Sequence, residues 1–350
     1  MAWGETCGIF GQLNREITIA GGGLAGLSLA TALLLDEVPV RVLEAGNYPR
    51  HRVCGEFISG VSRETLTALG IADSFEDARA HQSLAWHERG RLLHRDRFKE
   101  PALGISRYLL DERLWQRVKA LGGSVDTGSR ALPEPCEGLV WTAGRRPRNG
   151  PWIGLKAHVK QVPMTADLEM HAGTNGYAGL AGVEDGWVNV CGLFRVDRSI
   201  RGSGSQLLPA YLDAGGNGAL AEILRACEWR ENSFSAMAGF ELGRQPAVPG
   251  LLALGDAESM IPPFTGNGMS MAFQAAECSV GPLSGWSRGE LAWPDAVRQV
   301  RAAVRRRFRR RLATAAALHP VLLGSSGRTV LQILSNTRLL PFQPMLALIR

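Results

Sequence analysis

The chain has 350 residues, room for roughly two domains at ~150 residues each, and its 45% apolar and 21% charged content excludes a disordered or fibrous protein. The net charge of +6 averages two unlike parts: beyond Asp295 lie 11 Arg, no Lys and no carboxylate, so of the 39 Lys+Arg only 28 stand against the 33 Asp+Glu of residues 1–295, a net −5. A nucleic-acid partner argued from overall basicity is thereby excluded for the body, and the question of basic contacts belongs to the tail.

Ile17-Thr18-Ile19-Ala20 is a short β-rich run, and the turn Gly21-Gly22-Gly23-Leu24-Ala25-Gly26 follows it. Residues 27–35 read as a buried helix and residues 38–43 as the next strand, which closes on Glu44. This is the strand–helix–strand order of a doubly wound sheet. Residues 83–86 and 92–94 flank a Glu88-Arg89-Gly90-Arg91 turn, a hairpin signal. Residues 109–121 form an amphipathic helix and 138–143 a strand. From about 152 to 242 short runs alternate with turns, and Asp185-Gly186 between 177–184 and 187–194 marks a two-residue hairpin. That stretch is read as an antiparallel sheet inserted into the first unit. The parallel pattern returns with a buried strand over 250–256 and a helix beginning over 268–278, and the chain beyond 287 looks wholly helical.

Cys7, Cys54, Cys136, Cys191, Cys227 and Cys278 are scattered singly, without a Cys-x-x-Cys pair, which argues against a structural zinc site or a disulfide scaffold. Residues 1–15 lack a basic stretch followed by a sustained apolar run, so no secretory signal is expected. No segment reaches ~18 uninterrupted apolar residues. The nearest, 312–324, is broken by His319-Pro320. A reduced, cytoplasmic protein is expected. His51, His81, His87, His94, His158, His171 and His319 show no metal spacing, and no metal is expected.

Gly21-x-Gly23-x-x-Gly26 puts glycines where the chain must turn tightly, approach a pyrophosphate and let the helix pack on the strand. The helix start offers free N–H groups and a positive dipole end to that pyrophosphate. Glu44, 18 residues after Gly26, lies where a carboxylate can accept from both ribose hydroxyls. An acid there favours a free 2′-hydroxyl, as in FAD or NAD, over NADP.

A second element bears on the choice. After the strand ending at Leu254 come Gly255-Asp256-Ala257, then Pro262-Pro263-Phe264-Thr265-Gly266-Asn267-Gly268 and a helix. Here the sequence resembles the FAD-dependent oxidoreductases of the para-hydroxybenzoate hydroxylase and geranylgeranyl reductase superfamily. The resemblance extends through Pro49-Arg50-His51-Arg52-Val53-Cys54-Gly55-Glu56-Phe57, which is similar to the geranylgeranyl-reductase-like branch, Ile105-Ser106-Arg107 with Leu110-Asp111, and Thr142-Ala143-Gly144. It covers most of residues 16–280 as ordered motifs. It implies an α/β fold: a Rossmann-type doubly wound FAD domain (1–80, 105–150 and 245–285), an inserted antiparallel-sheet substrate domain (81–104 and 151–244) and a helical C-terminal region (286–350). The implied cofactor-binding set is Gly21, Gly23, Leu24, Ala25, Gly26, Glu44, Ala45, Arg52, Arg107, Ala143, Gly144, Gly255, Asp256, Pro263, Gly266, Asn267 and Gly268. A helix N-terminus behind the last of these suits the negative charge a reduced flavin gains near N1 and O2.

Three family features are not found. The mid-chain Asp-Gly motif of many aromatic hydroxylases is not evident, Arg145-Arg146-Pro147-Arg148 standing in that region. The Gly-x-Trp-x-Trp-x-Ile-Pro box of flavin halogenases and a second Gly-x-Gly-x-x-Gly are lacking too. NAD(P)H is therefore expected as a transient donor without its own fold, or electrons come from a partner or the substrate. Cys54 and Glu56 are the catalytic candidates, Glu56 as a proton donor and Cys54 as a lining or reacting thiol, against a structural cysteine and an ion-paired glutamate. Arg52 is the better phosphate partner, though spacing does not separate it from Arg50. His158 and His171 fall on strands, facing either side. Tyr177, Trp187, Phe194, Met237 and Phe240 suit an apolar cavity or a sheet core.

Val297, Val300, Val304, Phe308 and Leu312 recur at helical spacing, with arginines crowding the remaining circumference. This reads as a packed helix with a solvated arginine face or as a membrane-surface helix drawn to anionic lipid. Little aromatic interleaving leaves no nucleic-acid partner expected. Pro320, Pro341 and Pro344 should split the region into short helices. The expected function is reduction or dehydrogenation of carbon–carbon bonds in an apolar isoprenoid, lipid or polyketide-like molecule. The alternatives are flavin monooxygenation of an aromatic or polyketide substrate, and a non-catalytic FAD-binding, membrane-peripheral accessory or electron carrier.

Overall fold

The computed structural model describes residues 14–145, 148–337 and 339–349; the expectations for Cys7, the amino-terminal stretch and the Arg146-Pro147 pair lie outside them. β1 (Ile17–Ala20) runs into α1 (Leu24–Leu35), and β2 (Val40–Glu44) returns parallel to β1 with Ile17 opposite Val40. α1 is built of Leu and Ala and is buried on all sides through Leu33, as expected of a helix apolar around its circumference. It begins three residues earlier than the sequence pattern indicates. Gly23 caps it in an extended conformation, so Leu24, Ala25 and Gly26 are already its first turn.

In chain order there follow β3 (Phe57–Ile58), α2 (Arg63–Ala68), β4 (Arg79–Glu88), β5 (Arg91–Gly104), α3 (Arg107–Ala120), β6 (Ser124–Thr127), β7 (Leu139–Trp141), β8 (Trp152–Lys160), β9 (Leu168–Ala172), β10 (Gly176–Gly182) and β11 (Val188–Arg195). Then come α4 (Leu207–Ala214), α5 (Gly218–Ala226), β12 (Glu228–Trp229), β13 (Ser235–Phe240), β14 (Gly243–Arg244), β15 (Leu252–Ala253), β16 (Ser259–Met260), α6 (Gly268–Ser287), α7 (Trp293–Leu323), α8 (Ser325–Asn336) and α9 (Phe342–Leu348). Ser62 and Ser106 cap α2 and α3 through hydrogen bonds to the N–H groups of Thr65 and Leu109.

The parallel sheet has the order β15-β7-β1-β2-β6. Ile17, Ile19, Val42 and Val140 pack on Leu27 and Leu33 of α1, Leu114 of α3 and Phe273 of α6. The large sheet runs β12-β8-β11-β10-β9-β4-β5-β3, with β13 also paired to β8. Its hairpins turn where the sequence places them, at Arg89-Gly90 and Asp185-Gly186, with all four residues at positive φ. Leu155, Val190 and Leu180 of this sheet form a separate core with Leu208 and Leu212 of α4 and Leu224 of α5.

The tail departs from its sequence reading in three places, one of them Pro344, which lies in the first turn of α9 instead of ending a helix. α7 passes through Pro320 and ends at Leu323, because a proline in the last turn leaves few helical bonds to break. Its buried stripe takes in Arg311 while Leu312 is half-buried; Arg311 Nη1 donates to Gln274 Oε1 at 2.8 Å, which satisfies the enclosed guanidinium. α8 is latched to β4 by Arg328, whose Nε donates to Glu88 Oε1 at 2.6 Å and whose Nη1 donates to Leu323 O at 2.6 Å. Among the described residues no helix is long and apolar enough to cross a membrane.

Candidate functional site

The parallel sheet reverses strand order between β1 and β7, and the carboxyl ends of those strands open the crevice where such sheets take a ligand. Gly21 leaves β1 at φ +116, and a Cβ on it would lie 2.5 Å from backbone atoms of Thr142 and Ala143. A Cβ on Gly26 would lie 2.0 Å from Gly21 O, and one on Gly255 3.2 Å from the methyl of Ala25. Gly144 and Gly268 differ: a Cβ there would meet no heavy atom within 4 Å among the described residues, and on Gly23 only Arg107 Nη2, at 4.0 Å. Gly21 and Gly26 thus let the chain pack on itself, whereas Gly23, Gly144 and Gly268 border open space. Gly255, Asp256 and Gly268 also line a cavity of about 280 Å³ shared with Val304 and Phe308 of α7.

The charges around this crevice interlock. Gly22 and Gly46 donate their N–H groups to the two oxygens of buried Glu44, each at 2.8 Å, and Arg50 Nη2 adds a bond of 2.7 Å. Asp111 has no exposed surface and takes Arg52 Nε at 2.8 Å and Arg107 through Nε and Nη2 at 2.6 and 2.8 Å. The structure therefore separates Arg50, turned onto Glu44, from Arg52, which bridges Glu44 and Asp111. Three guanidinium groups against two carboxylates leave one positive charge beside the glycine turn. Burial opposes the Arg107 charge, but Asp111 outweighs it and raises the guanidinium pKa further. Asp256 opens onto the crevice yet is crowded by protein, and that burial lifts its carboxyl above the ordinary range against the pull of Arg107 and Arg145.

A diphosphate fits this donor set. The start of α1 carries no side-chain cap, so its N–H groups stay available. Arg50 Nε and Arg52 Nη2 are buried without a hydrogen-bond partner among the described residues. Leu24 and Ala25 are buried, so only their backbone can face a ligand, while Ala45, Ala143 and Pro263 are exposed at the rim. Gly266 turns at φ +65 against the ring of Phe57, and buried Asn267 bonds back to Thr265 O at 2.7 Å.

Cys54 and Glu56 sit differently from the expected proton donor and reacting thiol. Burial pushes the Cys54 thiol pKa up despite neighbouring Arg107, so it is held protonated. Glu56, at φ +52 and with no exposed surface, lines none of the described cavities. Its Oε1 accepts from Arg107 N at 3.0 Å and lies 3.3 Å from Lys156 Nζ, and its Oε2 bonds His158 Nε2 at 2.5 Å. Lys156 and His158 are themselves fully buried, and Lys156 Nζ also reaches His51 Nδ1 at 3.1 Å. Burial works to raise the Glu56 pKa, but Lys156, His158 and the Arg107 N–H outweigh it and hold the carboxyl below its ordinary 4.5. The group is an ionised anchor for the segment that carries Arg52 and Phe57.

This cluster makes the fold acid-sensitive. Burial, then Lys156, lowers the His51 pKa from 6.5 to about 3, so between those values the unfolded chain takes a proton that the folded one refuses. Stability is then lost as pH falls from 6.5 toward 3, and Glu56 adds a loss as pH falls through its depressed pKa. The thermal midpoint is expected to hold steady above pH 7 and to fall below about pH 6.5. His51→Gln should flatten the upper part of that fall; an unchanged profile would refute the assignment.

A larger opening of about 750 Å³ lies between the large sheet and the C-terminal helices. Trp86 of β4, Phe98 of β5 and Met170 of β9 line one side, and Leu322 of α7, Leu331 of α8 and Leu346 of α9 the other. Phe264 and Thr265, which immediately precede Gly266 of the same loop, also line it. A side cavity of about 430 Å³ reaches Tyr177, whose hydroxyl accepts from Phe264 N at 3.2 Å. Of the aromatic and Met candidates, Tyr177 alone lines an opening described here. Trp187 lies beneath Lys160 and Arg230, Phe194 packs on Tyr211, Met237 is exposed, and Phe240 packs with Trp152 under Arg145. Nothing in the apolar spacing of the tail identifies it as a cavity wall, because a helix packed on a solid core has the same pattern.

No protein-family model matches the chain. Squalene epoxidase 4 of Arabidopsis thaliana is 34% identical over 115 residues, which is 31% of this chain and 22% of that protein's length. Among solved structures, Pseudomonas aeruginosa PqsL in complex with 2-aminobenzoylacetate superposes with a TM-score of 0.72 at 16% identity, covering 91% of this chain and 99% of that one. Klebsiella pneumoniae HpxO complexed with FAD gives 0.74 at 15% identity over 95% and 99%. A geranylgeranyl bacteriochlorophyll reductase-like protein of Thermoplasma acidophilum gives 0.73 at 16% identity over 97% and 96%. At these identities the likeness establishes the fold. It is the α/β fold with a Rossmann-type parallel sheet, a second sheet inserted into it and a helical C-terminal region.

Proposed function

We propose that the chain is an FAD-dependent oxidoreductase acting on an apolar isoprenoid, lipid or polyketide-like small molecule. The observation that carries the reading is the loop 263–268, whose Gly268 shares a small cavity with Gly255 and Asp256 while Phe264 and Thr265 line the 750 Å³ cavity. Gly23, the N–H groups opening α1, Arg52, Arg107, Gly144 and Asp256 would hold the dinucleotide, with Glu44 fixing the turn. FAD supplies two-electron chemistry when bound. The lining, apolar apart from the Ser59 and Thr265 hydroxyls, holds an apolar molecule by burial and excludes water.

Resemblance of the Cys54-Gly55-Glu56 segment supports carbon–carbon reduction, with NAD(P)H as the proposed transient donor. A separate observation favours oxygen insertion: the described lining of the larger cavity contains no acid to protonate a reduced carbon, and Glu56 is engaged elsewhere. Anaerobic reduction with NADPH or dithionite, then rapid mixing with oxygen and an apolar polyene, separates the two by an oxygenated or a saturated product. Failure to reach about one FAD per chain after adding the cofactor would overturn both readings. Reversible reduction without turnover of any candidate lipid would make the protein an electron carrier.

We also propose peripheral contact between the tail and anionic membrane. Arg305, Arg306, Arg309 and Arg310 are exposed on α7, and Val330, Ile333 and Leu339 are exposed beyond it. At about 1 kcal/mol per arginine near an anionic surface, replacing the four with serine should cost on the order of 1,000-fold in binding to phosphatidylserine vesicles at low salt. Equal flotation of both proteins would exclude this contact.

A further inference from the structure

We propose that His87, Glu169 and His171 form a binding site for one divalent transition-metal ion, with zinc the ion of closest chemistry, in the sheet that walls the larger cavity, where His87 also lines the side cavity. β4 and β9 pair in parallel, with His87 directly opposite His171 and Ala85 opposite Glu169. Glu169 and His171, two apart on one strand, share a face, and His87 joins them from the neighbouring strand. Two same-face residues of one strand plus one across the ladder supply three convergent ligands, and the fourth corner of the block is only the methyl of Ala85.

One ligand atom from each of the three residues lies within 4.8 Å of the others. A tetrahedral site with bonds of about 2.1 Å needs ligand separations near 3.4 Å. The His87 and His171 rings stack with centroids 4.6 Å and planes 12° apart, so binding requires at least one imidazole to turn its edge toward the ion. Glu169 and His171 are 4% and 8% exposed, and His171 Nε2 lies 3.0 Å from Glu169 Oε2. The Nδ1 atoms of both His87 and His171 are buried with no hydrogen-bond partner among the described residues. His171 turns Nε2 to the carboxylate, so that nitrogen, Glu169 and one nitrogen of His87 give the N₂O donor set that zinc takes with a water in its fourth position, and His171 Nδ1 stays outside the set. Arg95 is the nearby cation, and Glu88 is occupied by Arg328.

The place gives the ion its role. β4 and β9 join the segments 79–104 and 152–240 into one sheet, and their neighbouring residues Trp86 and Met170 line the 750 Å³ cavity. An ion held by His87, Glu169 and His171 would clamp this seam and fix the cavity wall. Spacing along the chain could not show it, since only the long-range pairing of β4 with β9 brings His87 to Glu169.

The test is zinc titration by calorimetry, with metal counted after gel filtration, on tag-free full-length protein carrying its own flavin and stripped with chelator. One zinc per chain and a higher thermal midpoint with zinc are expected. His171→Ala and Glu169→Gln should weaken binding by at least ~10- to 100-fold. His87→Gln, at the more accessible ligand, repeats the test should either variant fold poorly, and Cys136→Ser, at an exposed thiol, should bind as the parent does. No retained zinc, or equal affinity in the folded ligand variants, overturns the site.

Discussion

Gly26→Ala is expected to abolish binding of the proposed flavin and to lower the thermal midpoint by roughly 6–12 °C. The new methyl would lie 2.0 Å from Gly21 O and 2.7 Å from Thr142 Oγ1. Neither atom can yield, because Thr142 Oγ1 donates to Gly21 O at 2.6 Å and both sit just past the carboxyl ends of the paired parallel strands β1 and β7. Overpacking against backbone costs about 3 kcal/mol, and each kcal/mol moves the midpoint by about 2–4 °C in a protein this large. Gly268→Val separates packing from binding. A Cβ there meets no described heavy atom within 4 Å, and α6 tolerates a side chain at its first residue. Its thermal midpoint without cofactor should stay near that of the parent while flavin affinity falls at least ~10-fold, since the side chain would occupy the crevice. Stoichiometric FAD in Gly268→Val would refute the placement of the cofactor.

Local chemistry made the glycine turn, the close of β2 at Glu44 and both hairpins legible, because each is decided by residues within a few positions of one another; that both Glu44 oxygens are taken by Gly22, Gly46 and Arg50 was not. Helix starts were less so, since Gly26 belongs equally to a turn and to a first helical turn until packing chooses. Alternation along β8 gives the face of Lys156 and His158 but not what they meet; that is fixed by Glu56, a hundred residues earlier and delivered by a positive-φ kink. The same holds for His87 and His171. The cavity escaped for a different reason: its walls are ordinary apolar side chains, and only the gap between sheet and helices makes them a pocket. Tyr177 and Phe194 lie on adjacent paired strands of one hairpin, yet one lines a cavity and the other fills a core.

The second large effect belongs to the enclosed ion pair. Lys156 and Glu56 are both fully buried, with Nζ and Oε1 3.3 Å apart. Lys156→Met removes the cation and leaves the carboxylate in a site that can no longer stabilise its charge, a loss of about 3–5 kcal/mol. The thermal midpoint at pH 8 should fall by roughly 6–20 °C. Glu56→Gln in the same chain should restore much of that, since removing both charges leaves nothing uncompensated, though the amide must still accept from Arg107 N. The pH dependence carries the sharper signature. In the parent Glu56 is depressed and its contribution fades on acidification. In Lys156→Met burial prevails, the folded pKa rises above the unfolded value, and the variant's deficit shrinks as pH falls from 8 toward 5 because the enclosed site takes up a proton. Chemical denaturation of both proteins at several pH values reads this directly, and a deficit independent of pH would mean that lost packing, not an orphaned charge, sets the cost. Because Glu56 anchors the strand that sets Phe57 against Gly266 and the segment that sets Arg52 beside Asp111, the single variant should also bind flavin more weakly, and the double variant should regain it along with stability.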